Sequence, residues 1–141
     1  MHCGAPMLTR SLIDTAFTSV LVEIGRVRDG IDVTAWCRHM RTVEQALSRL
    51  CNATDDQARS EPPLDRLARE AFMAVLALAQ LLAGSYSANP RTAAALERTR
   101  FAVAQLLDLL EPYVTHGDRE ARKVLLDGEP LDTALERMFF V

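Results

Sequence analysis

The stretch Ala71-Phe72-Met73-Ala74-Val75-Leu76-Ala77-Leu78-Ala79-Gln80-Leu81-Leu82-Ala83, closed by Gly84, is apolar at every position except Gln80. A helix apolar almost all the way round must be enclosed by other helices, by a second chain or by lipid, because each Å² left in water forgoes about 25 cal/mol. The run is shorter than the roughly 20 residues a membrane-spanning helix needs. Enclosure by protein is therefore the expectation, and the rest of the chain must supply the surrounding surfaces.

Those surfaces are written at helical spacing on both sides of the run. Upstream, Leu12, Ala16, Val20, Ile24 and Val27 share one face, with Phe17 and Leu21 beside it. Ser11-Leu12-Ile13-Asp14 resembles a capping box, which predicts a first helix from about Ser11 to Asp29, ended by Gly30. A second helix follows Asp32 or Thr34 as cap and carries Val33, Trp36, Met40, Val43, Leu47 and Leu50 at alternating steps of three and four, the spacing of a left-handed packing seam. Residues 52–63, polar and ending in Pro62-Pro63, read as the longest loop. Pro63 suits the first turn of the third helix, which holds Leu64, Ala68, Ala71, Val75, Leu78 and Leu82 on its seam, thickened by Leu67, Phe72, Leu76 and Leu81.

Downstream, Asn89-Pro90 couples a capping side chain to a proline suited to the first helical position. The fourth helix continues through Leu96, Val103, Leu107 and Leu110 until Pro112 kinks or ends it. His116-Gly117-Asp118 reads as a turn with Asp118 as cap of a short helix bearing Val124 and Leu125. Gly128-Glu129-Pro130 then precedes a last amphipathic segment with Leu131, Ala134, Leu135 and Met138. The expectation is all-α: a single helical domain over residues 1–141, an antiparallel bundle of four main helices plus two short C-terminal ones, with residues 1–8 flexible.

Composition narrows the function classes. The chain has 141 residues and a formal net charge of −3, split −1 over residues 1–70 and −2 over residues 71–141, so no basic face calls for nucleic acid. Of the 16 basic residues only Lys123 is a lysine, a bias read as codon usage in a GC-rich, bacterial genome. Cys3, Cys37 and Cys51 are odd in number, and Cys37 and Cys51 stand about 21 Å apart along one helix, too far to bridge. They read as reduced thiols. Residues 1–7 carry no secretory pattern, which leaves a cytoplasmic location as the expectation and either Met1 or Met7 as the start.

Catalytic and metal chemistry finds no foothold in the motifs. His2, His39 and His116 are scattered, and Cys37 and His39, two residues apart on a helix, point about 200° away from each other. There is no His-Glu-x-x-His, Glu-x-x-His, Cys-x-x-Cys, glycine-rich phosphate loop or Gly-x-Ser-x-Gly. Asp55-Asp56 sits among polar residues where both carboxylates stay solvated. Arg26, Arg28, Arg38 and Arg41 are interleaved with Glu23, Asp29 and Asp32 and read as a salt-bridged surface. The chain is expected to be no enzyme and to need no cofactor or metal.

What remains is apolar surface beyond the seams. Opposite the seam of the third helix, Arg66, Arg69, Met73, Ala77, Gln80 and Gly84 form a face that turns from charged to apolar halfway along. On the fourth, Phe101 shares a stripe with Glu97, Arg98, Gln105 and Asp108. Met73, Leu76, Phe101, Leu135, Phe139 and Phe140 are the candidate interface residues, either covered by the C-terminal helices or open to a protein partner, a second copy included. A small apolar ligand held between alanine-rich helices is the alternative reading.

Leu12-Ile13-Asp14-Thr15, Val22-Glu23-Ile24, Arg28-Asp29-Gly30 and Phe101-Ala102-Val103-Ala104-Gln105-Leu106-Leu107-Asp108 resemble segments of the helical cytoplasmic domain of the DotU/TssL subunits of bacterial type IV and type VI secretion systems. That family carries an Asp-Glu pair after the apolar helix where this chain has Asp108-Leu109, and its members end in a membrane-spanning helix that this sequence lacks. The resemblance implies an accessory or scaffold subunit of an envelope machine.

Overall fold

The computed structural model describes residues 8–55 and 64–126. Five α-helices account for most of them: α1 (Arg10–Ile24), α2 (Val33–Asp55), α3 (Leu64–Ala83), α4 (Pro90–Leu110) and α5 (His116–Leu126), with a 3₁₀ turn at Glu111–Tyr113 before α5. There is no strand among the described residues. The helices pack antiparallel as the periodicity predicts, α3 against α2 on one side and α4 on the other, α1 against α4, and α1 more sparsely against α2. Helix α5 lies on α3.

This arrangement explains the apolar run. Among the described helices α3 alone packs against three others, α2, α4 and α5, and it buries nine residues: Leu67, Ala68, Ala71, Phe72, Val75, Leu76, Leu78, Ala79 and Leu82. Burying each large side chain is worth about 1.5–3 kcal/mol, so α3 is where the bundle's hydrophobic stabilisation concentrates. Alanines at 68, 71 and 79 let the neighbouring helices approach closely. From α2 come Met40, Val43, Leu47, Leu50 and Cys51; from α4, Leu96, Ala102, Val103, Leu106, Leu107 and Leu110; from α1, Ile13, Val20 and Ile24.

The helix ends differ from the sequence expectation in instructive ways. Helix α1 starts at Arg10 with Thr9 as cap, its hydroxyl accepting from the Leu12 amide at 3.3 Å, in place of Ser11. Leu8 and Ile13, 2% and 1% exposed, occupy the two positions of a hydrophobic staple around that cap, which fixes the start one residue early. The helix stops at Ile24, with Gly25 as its C-cap, rather than at Asp29. Asp32 is the cap of α2, accepting from the Ala35 amide at 3.1 Å. Val33, read as part of the α2 seam, is 63% exposed instead, since the seam proper begins with half-buried Trp36. At its other end α2 runs on to Asp55, into the expected loop, because Cys51 and Ala53 are buried and reward another turn. Residues 56–63 lie outside the described residues.

Asn89 and Pro90 behave as read: the Asn89 side chain accepts from the amides of Arg91 and Thr92 at 2.9 and 3.3 Å, and Pro90 opens α4. Gly30, taken as the stop of the first helix, has a different task. Its φ is +79°, and a Cβ there would stand 2.8 Å from the Tyr86 carbonyl carbon and closer still to the oxygen. Both conditions demand glycine. The Gly30 carbonyl accepts from the Tyr86 amide at 3.1 Å, and the Ser87 hydroxyl donates to the Asp29 carboxylate, so the α1–α2 and α3–α4 connections are tied together at one end of the bundle.

Candidate interaction surface

On α4, residues 92, 95, 96, 99, 102, 103, 106, 107 and 110 are turned inward, which leaves Phe101 on the outside. It is 66% exposed, the most exposed phenylalanine, leucine, isoleucine or methionine among the described residues. Its side chain stands at an open groove of about 480 Å³ between α1 and α4, lined by Ser19, Glu23, Glu97, Arg98, Phe101, Ala102 and Gln105. Arg98 crosses to α1 and donates from Nε to Glu23 Oε2 at 2.9 Å, and Arg26 approaches the same carboxylate at 3.6 Å. The apolar ring is thus set among charged groups that already neutralise one another, which is how an apolar contact with a polar rim is built.

Met73, 42% exposed, stands on the outer face of α3 as its position in the sequence implies. Leu76 does not join it: at 1% exposure it belongs to the core. Leu76 falls one turn past Phe72 on the inward face, and with neighbours on three sides α3 has no room to present it. Leu76 is therefore a core residue and takes no part in the outer surface. Leu135, Phe139 and Phe140, and with them the last helix expected from the sequence, lie outside the described residues. Sequence reading also missed Tyr86, 78% exposed on the α3–α4 connection beside Gly30, and the exposure of Val22 on α1, at 49%. Tyr86 left a signal that was available, a lone aromatic between Ser85 and Ser87 just after a helix-ending glycine.

The start of α5, where it meets α3, holds a connected polar cluster. Thr115 precedes the helix, its hydroxyl accepting from the Asp118 amide at 3.1 Å while the Asp118 carboxylate accepts from the Thr115 amide at 3.2 Å. This is a capping box with aspartate in the glutamate's place, so Asp118 is the third residue of α5 and Thr115, not Asp118, is the cap. The buried Asp118 carboxylate also receives Arg69 Nε from α3 at 2.9 and 3.2 Å. Burial pushes its carboxyl up, but the hydrogen bonds from Arg69 and from the Thr115 side chain and amide outweigh it and hold the group below the ordinary 3.8.

The other chemistry-bearing groups stay dispersed. Cys37 is exposed and lines a shallow surface of α2 with Arg38, Arg41 and Gln45, while buried Cys51 points its Sγ at Asp14 Oδ1, 3.9 Å away on α1. Of the four arginines read as one cluster, Arg26 is engaged by Glu23, whereas Arg38 and Arg41 belong to the flank of α2. No three His, Cys, Asp or Glu side chains gather as a metal site among the described residues, and none of the described helices is long and apolar enough to cross a membrane.

The fold and its surface define an all-α helical bundle with an exposed aromatic on an outer helix face. No known protein family, curated protein or solved structure matches the chain.

Proposed function

We propose that this chain is a non-enzymatic helical interaction protein that works by association, as a homodimer or as an adaptor for another polypeptide, through the outer face of the bundle around Phe101. The observation that supports the reading is Phe101 itself: a phenylalanine 66% exposed on a regular, well-capped helix whose inward positions are all filled by other residues. A side chain of that size contributes nothing to the core from there, and its burial in a contact is worth about 1.5–3 kcal/mol. Aromatic residues ringed by polar ones are the usual anchors of protein contacts. Met73 and Val22 offer further apolar area on outer faces, 42% and 49% exposed.

The test is sedimentation of the wild type and Phe101→Asp across the micromolar range, with capture of partners from the source lysate by each. Self-association, or a partner retained by the wild type, that is lost with Phe101→Asp supports the reading. A wild type monomeric at tens of micromolar, whose captured proteins are the same with and without the substitution, overturns it.

A further inference from the structure

Helix α5 is attached to the bundle differently from every other helix. Helices α3 and α4 each bury nine residues, but the one fully buried residue of α5 is the aspartate Asp118. Ala121 and Leu126 reach the core only partly, and Leu125 is 37% exposed. Beside that partial apolar contact, the ties of α5 to the other helices are polar: Asp118 pairs with Arg69 of α3 at 2.9 Å and Arg122 with Asp108 of α4 at 2.7 Å, while Arg122 also reaches the Ala104 carbonyl at 3.5 Å. Arg119 also donates to the Glu111 and Val114 carbonyls and Arg122 to Glu111, further polar ties to the turn that leads into α5, which buried Val114 anchors in the core. Segments with few buried apolar contacts open at a free energy well below that of the whole fold.

The place where α5 is fastened gives its release a consequence. Arg69 lies one turn before Met73 on α3, and Ala104 and Asp108 lie one and two turns after Phe101 on α4, each pair on one helix face. Helix α5 therefore sits on the strip of surface that continues into the two exposed apolar residues. We propose that α5 is a strap that opens and recloses on the intact four-helix bundle, held shut by the Arg69–Asp118 and Arg122–Asp108 pairs, and that its opening bares the core surface on which Ala121 and Leu126 rest, next to Met73 and Phe101. Its use as a regulator of association rests on the function proposed above; the opening itself does not.

Amide hydrogen exchange on the full chain, compared among wild type, Arg69→Gln and Arg122→Gln, tests this, with emission of the apolar dye anilinonaphthalene sulfonate read in parallel. In the wild type, residues 116–126 are expected to exchange faster than residues 72–82 of α3. Arg69→Gln should speed α5 by about tenfold or more, because the bond is lost only from the closed state, and α5 should still exchange well ahead of α3. Dye emission should rise with it. Equal protection of α5 and α3 in the wild type, an α5 unchanged by Arg69→Gln, or unchanged dye emission overturns the strap. If α5 opens as described and Phe101→Asp leaves association untouched, the strap stands and the association reading falls.

Discussion

Asp118 shows how one side chain can join three levels of structure. Its amide completes the cap of α5, its carboxylate accepts from Thr115, and the same carboxylate holds Arg69 of α3. Because these bonds depress its folded-state pKa below 3.8, the stabilisation they give is fully present above about pH 5, where the unfolded chain's aspartate is also ionised, and is lost as pH falls through the lowered folded value. An NMR titration of the Asp118 carboxyl carbon should give a midpoint below 3.8, moving upward in Arg69→Gln. A wild-type midpoint at or above 3.8 would show that burial outweighs the bonds. The sequence placed Asp118 at the start of a helix but made it the cap itself. A capping box in which aspartate replaces glutamate is degenerate in a single sequence, and the partner, Arg69, is 49 residues away.

Helices were legible where one face repeats and faint where partners decide the ends. The α3 run could be read without neighbours because its composition leaves no polar side, and Asn89-Pro90 fixed the start of α4 because both residues act within their own turn. The last turn of α2 and the early stop of α1 depend on what their final residues touch, and local signals misplaced both. The C-terminal end of α3 is a third case. Gly84 marks it, but Arg100 of α4 secures it, donating from Nε to the Leu82 carbonyl at 3.0 Å and from Nη2 to the Ser85 carbonyl, with Glu97 beside it. Carbonyls at a helix end have no partner in their own helix, and a guanidinium fork can reach two of them at once. Arg100→Ala should cost about 1–3 kcal/mol, measured by urea unfolding followed through Trp36, the only tryptophan. Arg100→Lys should recover little of it, since an ammonium lacks the fork. A loss no greater than that of an ordinary surface arginine would mean that water serves these carbonyls equally well.

At the scale of the molecule, the bundle divides its large apolar residues into those that hold it together and those left outside, and the sequence alone could not make that division. Leu76 and Phe101 both stood as candidate contact residues, Leu76 from an apolar run and Phe101 from a stripe shared with Glu97, Arg98, Gln105 and Asp108. Only the placement of neighbours separates them: Leu76, 1% exposed, is enclosed, while Phe101, 66% exposed, is not. Their substitutions should part accordingly. Leu76→Ala removes buried methyl groups and leaves a cavity in the most densely surrounded helix, so a loss of about 2–5 kcal/mol is expected. Phe101→Asp changes a surface that water already reaches, and the unfolding free energy of the monomer should stay within about 0.5 kcal/mol of the wild type. Urea denaturation at sub-micromolar protein, where association is suppressed, measures both without interference. If Phe101→Asp destabilised the monomer as much as Leu76→Ala, Phe101 would belong to the core, and the exposed face on which association depends would not exist.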